Sequence, residues 1–480
     1  MQALPRKSQV PAFFLNRIIE QYAQKSSTPI SLKHMINFGN AGRNKGEKEE
    51  AEKLIKGGNF LRTELPTRLS HRLRDLQELP YAVASHPRMQ HVYDLYLEAF
   101  EEIRKFPHIA DLDGNDRFCQ FMTSTLHKHR VIIPELAIGV SETSLVHLPA
   151  TALDRIMLRM LRSRISRRVI TEQHIALTQQ FRERQDKGKG KQRAADDGEE
   201  ERYVGIVDTR LNAADMVRRC AELIKALGGP TGEVPIVLEG DVDHTFAYIS
   251  EHLEFMLFEL IKNAAFATVS AHGAAAKDHP TLVTLVHSAR DLVIRVSDQG
   301  GGIPPYGGLP PDPADVAFSP LLSTNTLAAP LSAQRLDIFS FSHMRRHYQH
   351  QAATAAAAAL AASAPSPAAA LEAPPASSPG EEAADPSGAA TGIMALRSVG
   401  ELTGTVEEQI SRHQRLGDAG DERELMDAQV RSGIGLPLAK MYAAYFDGSL
   451  DIFTLQGYGS DAVLKVPKFG IEGAFPSHSF

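Results

Sequence analysis

The sequence predicts an α+β protein in which a helical bundle precedes a domain of mixed strands and helices. Three observations carry this. Apolar residues recur at three- and four-residue steps from Phe60 to Ile175, the period of an amphipathic helix. Beyond residue 202 the pattern changes to strands mixed with helices, with β-branched runs at Leu282–Val286 and Leu292–Val296. Between the two patterns, residues 184–202 run through Gln185-Asp186-Lys187-Gly188-Lys189 to Glu199-Glu200-Glu201-Arg202 with almost no apolar side chain, the composition of a linker. A chain of 480 residues also exceeds what one hydrophobic core organises, so two domains are expected.

Taken in order, residues 1–25 form a short N-terminal segment. Arg6, Lys7 and Arg17 with no acidic residue up to Ile19 suit an organelle presequence and equally a frayed basic terminus. Residues 26–183 are the helical bundle. Leu65, Leu69, Leu73, Leu76 and Leu79 make one stripe, and similar periodicity covers Val92–Ile103, Ile132–Val146 and Ile156–Ile175, with prolines at the breaks. The second domain occupies 203–470, with strands expected at Leu282–Val286, Leu292–Val296, Leu450–Leu455 and Ala462–Val466, a sheet covered on one side by helices. Within it, residues 351–392 are dominated by alanine with proline and serine and lack large apolar side chains to bury, which predicts a disordered insertion.

Composition narrows the function. The 58 acidic and 52 basic side chains leave a net charge of −6, so no global attraction to nucleic acid is expected. No stretch approaches the ~20 apolar residues of a membrane span, and a soluble chain is expected. Two cysteines, Cys119 and Cys220, cannot supply a disulfide framework or a four-thiolate metal site.

Four segments of the second domain carry chemistry. The helix His252–Ala265 sets Glu259 and Asn263 four residues apart on one face, with Leu253, Leu257, Leu260 and Ala264 toward the sheet; alone, this reads as a solvated face. Asp298-Gln299-Gly300-Gly301-Gly302-Ile303-Pro304 ends a strand with a carboxylate able to accept from an amino group such as adenine's, beside glycines that admit close approach of a ligand. Gly433-Ile434-Gly435-Leu436-Pro437 leads into a helix Leu438–Tyr445, offering backbone N–H groups to phosphate. Gly457-Tyr458-Gly459-Ser460-Asp461 is a turn between the last two strands, where a hydroxyl reaches a ligand. Each alone is also an ordinary turn or helix start.

Together and in this order, the four segments resemble the Bergerat-type ATP-binding fold of gyrase, Hsp90, histidine kinases and MutL. Within that group the chain resembles the mitochondrial 2-oxoacid dehydrogenase kinases, of pyruvate or branched-chain type, through Phe258-Glu259-Leu260-Ile261-Lys262-Asn263-Ala264, Ser297 to Pro304, Gly433 to Pro437 and Tyr442 to Gly448. The first domain agrees in Ser31-Leu32-Lys33, Phe38-Gly39, Phe60-Leu61-Arg62, Glu64-Leu65-Pro66, Arg68-Leu69, Arg164-Ile165-Ser166 and Gln173-His174. The resemblance implies a regulatory four-helix bundle followed by an α/β-sandwich ATPase domain.

It further implies ATP and Mg²⁺ as cofactors, with Asn263 as the metal ligand, Asp298 and Ser460 at the adenine, and Gly300, Gly302, Gly433, Ile434, Gly435 and Leu436 forming hinge and phosphate wall. Glu259 is the implied general base, and Lys262 either screens phosphate charge or points to solvent. The implied activity is a serine kinase that inactivates the thiamine-dependent decarboxylase α subunit of a matrix 2-oxoacid dehydrogenase complex, the pyruvate complex before the branched-chain one. Its partners would be that subunit, the lipoyl domain and a second copy of the chain, with no nucleic acid and no membrane. The 351–392 insertion would fall in the ATP lid.

Departures from the pattern keep alternatives open. Phe255 replaces the histidine one turn before the base in pyruvate dehydrogenase kinases, Phe266 an arginine, and Arg431 a hinge glycine. The chain has no Trp, so the C-terminal Asp-Trp element that grips a lipoyl domain in pyruvate dehydrogenase kinases is missing. A histidine-kinase-like phosphotransferase using His129, or a catalytically impaired ATP-gated scaffold, are the competing readings. His129 reads as a structural or interdomain histidine, and His127, His174 and His252 as ordinary surface or capping ones.

Overall fold

The computed structural model describes residues 12–43, 46–129, 132, 135–136, 150–189, 202–227, 229–303, 318 and 435–468. Their fold is α+β. Seven helices come first: α1 (Ala12–Ala23), α2 (Leu32–Arg43), α3 (Glu47–Gln77), α4 (Tyr81–Ala84), α5 (Pro87–Lys105), α6 (Leu112–Lys128) and α7 (Ala150–Lys189). After β1 (Tyr203–Val204) and β2 (Val207–Asn212) come α8 (Ala213–Leu227), the single turn α9 (Gly229–Gly232), β3 (Ile236–Gly240), β4 (Thr245–Ile249) and α10 (Ser250–His272). β5 (Thr281–His287), β6 (Asp291–Ser297), α11 (Gly435–Tyr445), β7 (Ser449–Leu455) and β8 (Gly459–Pro467) complete the order.

Helix α3 starts well before the leucine stripe, because Glu47, Glu49 and Glu50 lie in its first turn and complement the positive helix end. The stripe is the core itself: Leu65, Leu69, Leu73 and Leu76 are buried, and α3 packs against α1, α2, α5, α6 and α7. Each such leucine contributes roughly 1.5–3 kcal/mol. Pro87 does open a helix, at the first position of α5, where its missing N–H costs nothing. Pro66, by contrast, sits inside α3, so not every proline marks a break. Helix α7 runs to Lys189, into the stretch expected to be linker. Arg184 pairs there with both carboxylate oxygens of Glu50, at 2.6 and 3.1 Å, so side-chain pairing on α3 extends the helix where apolar residues are absent. The remaining linker, the 351–392 insertion, most of the Ile132–Val146 helix, residues 1–11, Arg431, Gly433 and Ile434 lie outside the described residues.

Two sheets follow, ordered β1-β2-β4 and β3-β5-β6-β8-β7, antiparallel except for β3 against β5. Strict alternation puts one row of residues inward across the larger sheet. Leu285 pairs with Ile294, Ile294 with Leu464 and Leu464 with Leu450, and all four are at most 1% exposed. Helices α10 and α11 cover this row on one face. The four expected strands are present; β1 to β4 were not expected. Short β2 carries Asp208 with no exposed surface, held by the Arg202 guanidinium at 2.7 Å, and an acid mid-strand hides the period-2 signal. Val204 packs back on Leu54, Leu177 and Phe181, and Gln173 Nε2 donates to its carbonyl, so β1 leans on the helical half. Among the described residues no helix is long and apolar enough to cross a membrane.

Candidate functional site

Helix α10 is apolar nearly all round, with Leu253, Met256, Leu257, Leu260 and Ile261 each at most 2% exposed. Such a helix must be covered on every side, and this determines how its polar residues are treated. Glu259 is not on a solvated face: it is 3% exposed. Its Oε1 accepts from Lys262 Nζ at 2.7 Å, one turn on, and burial without this cation would be costly. Lys262 therefore does not point to solvent. Its ammonium also stands 5.2 Å from the centre of the Phe258 ring. Asn263 is half-buried, and its amide makes no hydrogen bond among the described residues.

The first residue of α11 closes on this pair. A Cβ at Gly435 would meet Glu259 Oε2, so a larger residue there would have to push the carboxylate aside. Leu436 follows, half-buried. Phe255, one turn before Glu259, fills its place as core, its ring 5.2 Å from that of Tyr442 on α11.

Near the C-terminal end of α10, β6 delivers Asp298. Its Oδ1 accepts from Gly300 N at 2.8 Å and from Ser460 N at 3.2 Å, and its own N–H donates to Ser460 O. Burial raises the Asp298 carboxyl above its ordinary value, the two backbone donors oppose this, and neighbouring Asp461 adds to it. Oδ2 accepts from no described residue, which leaves one lone-pair edge for an amino group. Gly302 adopts φ +73°, with Leu455 O where a Cβ would stand, so the turn requires glycine. Ile303 N donates to Thr454 Oγ1 at 2.7 Å, and Thr454 Oγ1 lies 3.1 Å from Ser460 Oγ. His272, at the end of α10, contacts Gln299 O at 2.8 Å, tying the Asp298 loop to the helix of Glu259.

The expected residues thus fall into two contiguous groups, Glu259, Lys262 and Gly435 in one and Asp298, Gly300 and Ser460 in the other, along one helix. Thr454 was missed, since a threonine in a strand carries no signal of its own. His252 and His174 are corrections. Both are buried rather than surface residues: His252 lies 4.4 Å from the Tyr442 ring, and His174 Nε2 is 2.9 Å from Asn115 Oδ1. His127 is exposed. His129 is buried, with Nε2 toward Leu95 O and its ring edge-on to Tyr96. Among the described residues no three histidine, cysteine or acidic side chains gather as a metal-binding group.

Comparison with known proteins bears on this arrangement. A family model for mitochondrial branched-chain alpha-ketoacid dehydrogenase kinase matches residues 29–208. Pyruvate dehydrogenase (acetyl-transferring) kinase 2, mitochondrial, of Saccharomyces cerevisiae is 25% identical over 489 residues, 97% of this chain and 88% of that one. The chain is thus similar to mitochondrial 2-oxoacid dehydrogenase kinases in both comparisons. The Arabidopsis thaliana pyruvate dehydrogenase (acetyl-transferring) kinase is 25% identical over 94% of this chain and 93% of that one. Isozyme 3 of Homo sapiens is 29% identical over 302 residues, 60% of this chain and 68% of that one. The family-model match ends at β2, before the two groups of site residues, whereas the yeast and plant kinases are matched over nearly the whole chain. The matched family and these relatives are named as mitochondrial.

Proposed function

We propose that this chain is an ATP-dependent protein serine kinase acting on pyruvate dehydrogenase, phosphorylating and inactivating the decarboxylase α subunit in the mitochondrial matrix. The observation that carries the reading is the alignment, along α10, of a buried Glu–Lys pair at mid-helix with an Asp298 carboxylate presenting one free edge near the C-terminal end. In this reading residues 203–470 are a Bergerat-type kinase domain and residues 26–183 a regulatory four-helix bundle. Residues 351–392 form an insertion in the ATP lid. The kinase works as a homodimer, with the lipoyl domain of the complex as a further partner.

Asp298 Oδ2 accepts from the adenine amino group, with Ser460 beside it, and Gly300 and Gly302 keep the backbone close to the ligand. Gly433, Ile434, Gly435 and Leu436 supply backbone N–H groups to phosphate. The half-buried Asn263 amide oxygen is a hard donor suited to Mg²⁺, which when bound would neutralise charge on the phosphates. Glu259 accepts the proton of the substrate serine as its oxygen bonds to the γ-phosphorus and the bond to the bridging oxygen of ADP breaks.

The test offers purified decarboxylase α subunits of the pyruvate and branched-chain complexes side by side with ATP. Acid-stable phosphoserine on the pyruvate-type subunit is expected, and Glu259→Gln should lower the rate by roughly 10²–10⁴-fold. ATP binding without transfer would leave a scaffold. Acid-labile phosphate on the chain itself would point to His129, which its burial disfavours.

A further inference from the structure

The Glu259–Lys262 pair has the wrong partners for a base ready to act. A general base needs a lone pair aimed at the hydroxyl proton. Here Oε1 is taken by Lys262 Nζ at 2.7 Å, and Oε2 lies beside the Gly435 backbone, in the space that a Cβ there would fill. The side chains are 4% and 13% exposed, so this is a sequestered ion pair rather than a surface one of little consequence. What surrounds the carboxylate is a buried ammonium and the backbone at the start of a helix, the two kinds of group that bind phosphate best.

We infer that in the nucleotide-free protein Glu259 stands in for a phosphate: it occupies the anion-binding groups of the site, and a nucleoside polyphosphate must displace it. This rests on the reading of Glu259 as base and of Lys262 and Gly435 as phosphate-side groups. When a bound polyphosphate takes the Lys262 ammonium, the carboxylate loses its counter-ion and an oxygen becomes available to the serine hydroxyl. Arrival of the nucleotide and release of the base are then one event, carried by a single lysine shared between two anions. The cost is borne by affinity, because the protein's own carboxylate competes with the ligand.

That cost is measurable and has an unusual sign. Glu259→Gln keeps the shape and removes the charge. A charge competing at contact distance in a partly screened site is worth at least about one ten-fold step in affinity, so MgADP and MgATP should bind the full-length Glu259→Gln variant about ten-fold more tightly than the native chain by isothermal titration. Lys262→Met should bind about ten-fold more weakly, and in the double variant the gain from Glu259→Gln should shrink, since the shared lysine is gone. Glu259→Asp, which keeps the charge on a shorter arm, should fall between the native chain and Glu259→Gln, and serves if the latter does not fold. Unchanged or weaker binding by a folded Glu259→Gln or Glu259→Asp chain overturns the inference while leaving the kinase reading intact. Failure of the native chain to bind either nucleotide removes both.

Discussion

Arg168 on α7 joins the two halves of the protein: its Nη2 lies 3.8 Å from Glu251 Oε2, in the first turn of α10, while its Nε lies 2.6 Å from Glu172 Oε1. The helical half is thereby tied to the helix that carries Glu259. The two carboxylates differ in exposure, 62% for Glu251 and 26% for Glu172, and so in what they lose with the cation. Arg168→Met should cost about 1–3 kcal/mol, because Glu172 is left as a half-buried charge. Glu251→Gln should cost less than about 1 kcal/mol, because the Glu251 pair is largely solvated. Urea unfolding of both variants checks this; equal midpoints would mean that Glu172 does not need the arginine.

Asp298→Asn separates the two duties of that side chain. An amide oxygen still accepts from Gly300 N and Ser460 N, so the loop keeps its shape. The free edge, however, becomes an NH₂ donor, which in the proposed site would face the adenine amino group. A hydrogen bond to a charged acceptor is worth about 1.5–3 kcal/mol, so MgADP affinity should fall by about 10–100-fold with little change in melting temperature. A large loss of melting temperature with unchanged affinity would assign Asp298 to the fold alone.

How far the sequence could be read follows from which residues obey a period. Leu292, Ile294 and Val296 alternate without interruption, and β6 lies where they predict it; the leucines of α3 do the same at the helical period. Asp208 breaks the alternation of β2 because its partner, Arg202, sits in a turn that no pattern announces. Glu259 and Lys262 looked solvent-facing since spacing reports that two side chains share a face, not that α11 covers that face. The approach of α11, whose Gly435 lies about 175 residues away in sequence, is a contact that spacing along α10 does not report. Thr454 acquires its role the same way, from a loop that crosses to it.

Three buried histidines give the protein an acid limit. Burial lowers His252 to about 3, with nearby Arg168 acting in the same direction, and burial alone lowers His174 to about 4. Burial, with Arg167, lowers His129 to about 3. Each is neutral when folded, while in the unfolded chain it titrates near 6.5. Below pH 6.5 the unfolded state binds more protons, so stability falls as pH falls, down to about pH 4 or 3 where the folded histidines protonate as well. Each histidine contributes at most about 1.4 kcal/mol per pH unit in that window. Replacing His252, whose Nδ1 has no hydrogen-bond partner among the described residues, by Phe should remove one proton's worth of slope from urea unfolding between pH 7 and pH 5. An unaltered slope would mean that His252 takes up its proton in the folded protein.

One hydroxyl on β7 joins the loop after Asp298 to the strand of Ser460. Thr454 Oγ1 accepts from Ile303 N at 2.7 Å and meets Ser460 Oγ at 3.1 Å, so β7 holds both the Gly302 turn and the side chain beside Asp298. Thr454→Val keeps the shape of the side chain and the preference for a strand, but it leaves the Ile303 N–H without its acceptor in a partly buried position, a cost of about 1–3 kcal/mol. Ser460→Ala leaves the Ile303 bond in place and should cost only about 0.5–1.5 kcal/mol. Because the Gly302 turn loses its tether only in the first variant, nucleotide affinity should drop several-fold more in Thr454→Val than in Ser460→Ala. Chemical denaturation and MgADP titration of the two variants side by side measure both differences, and equal losses would show that the Ile303 bond contributes nothing to holding the site.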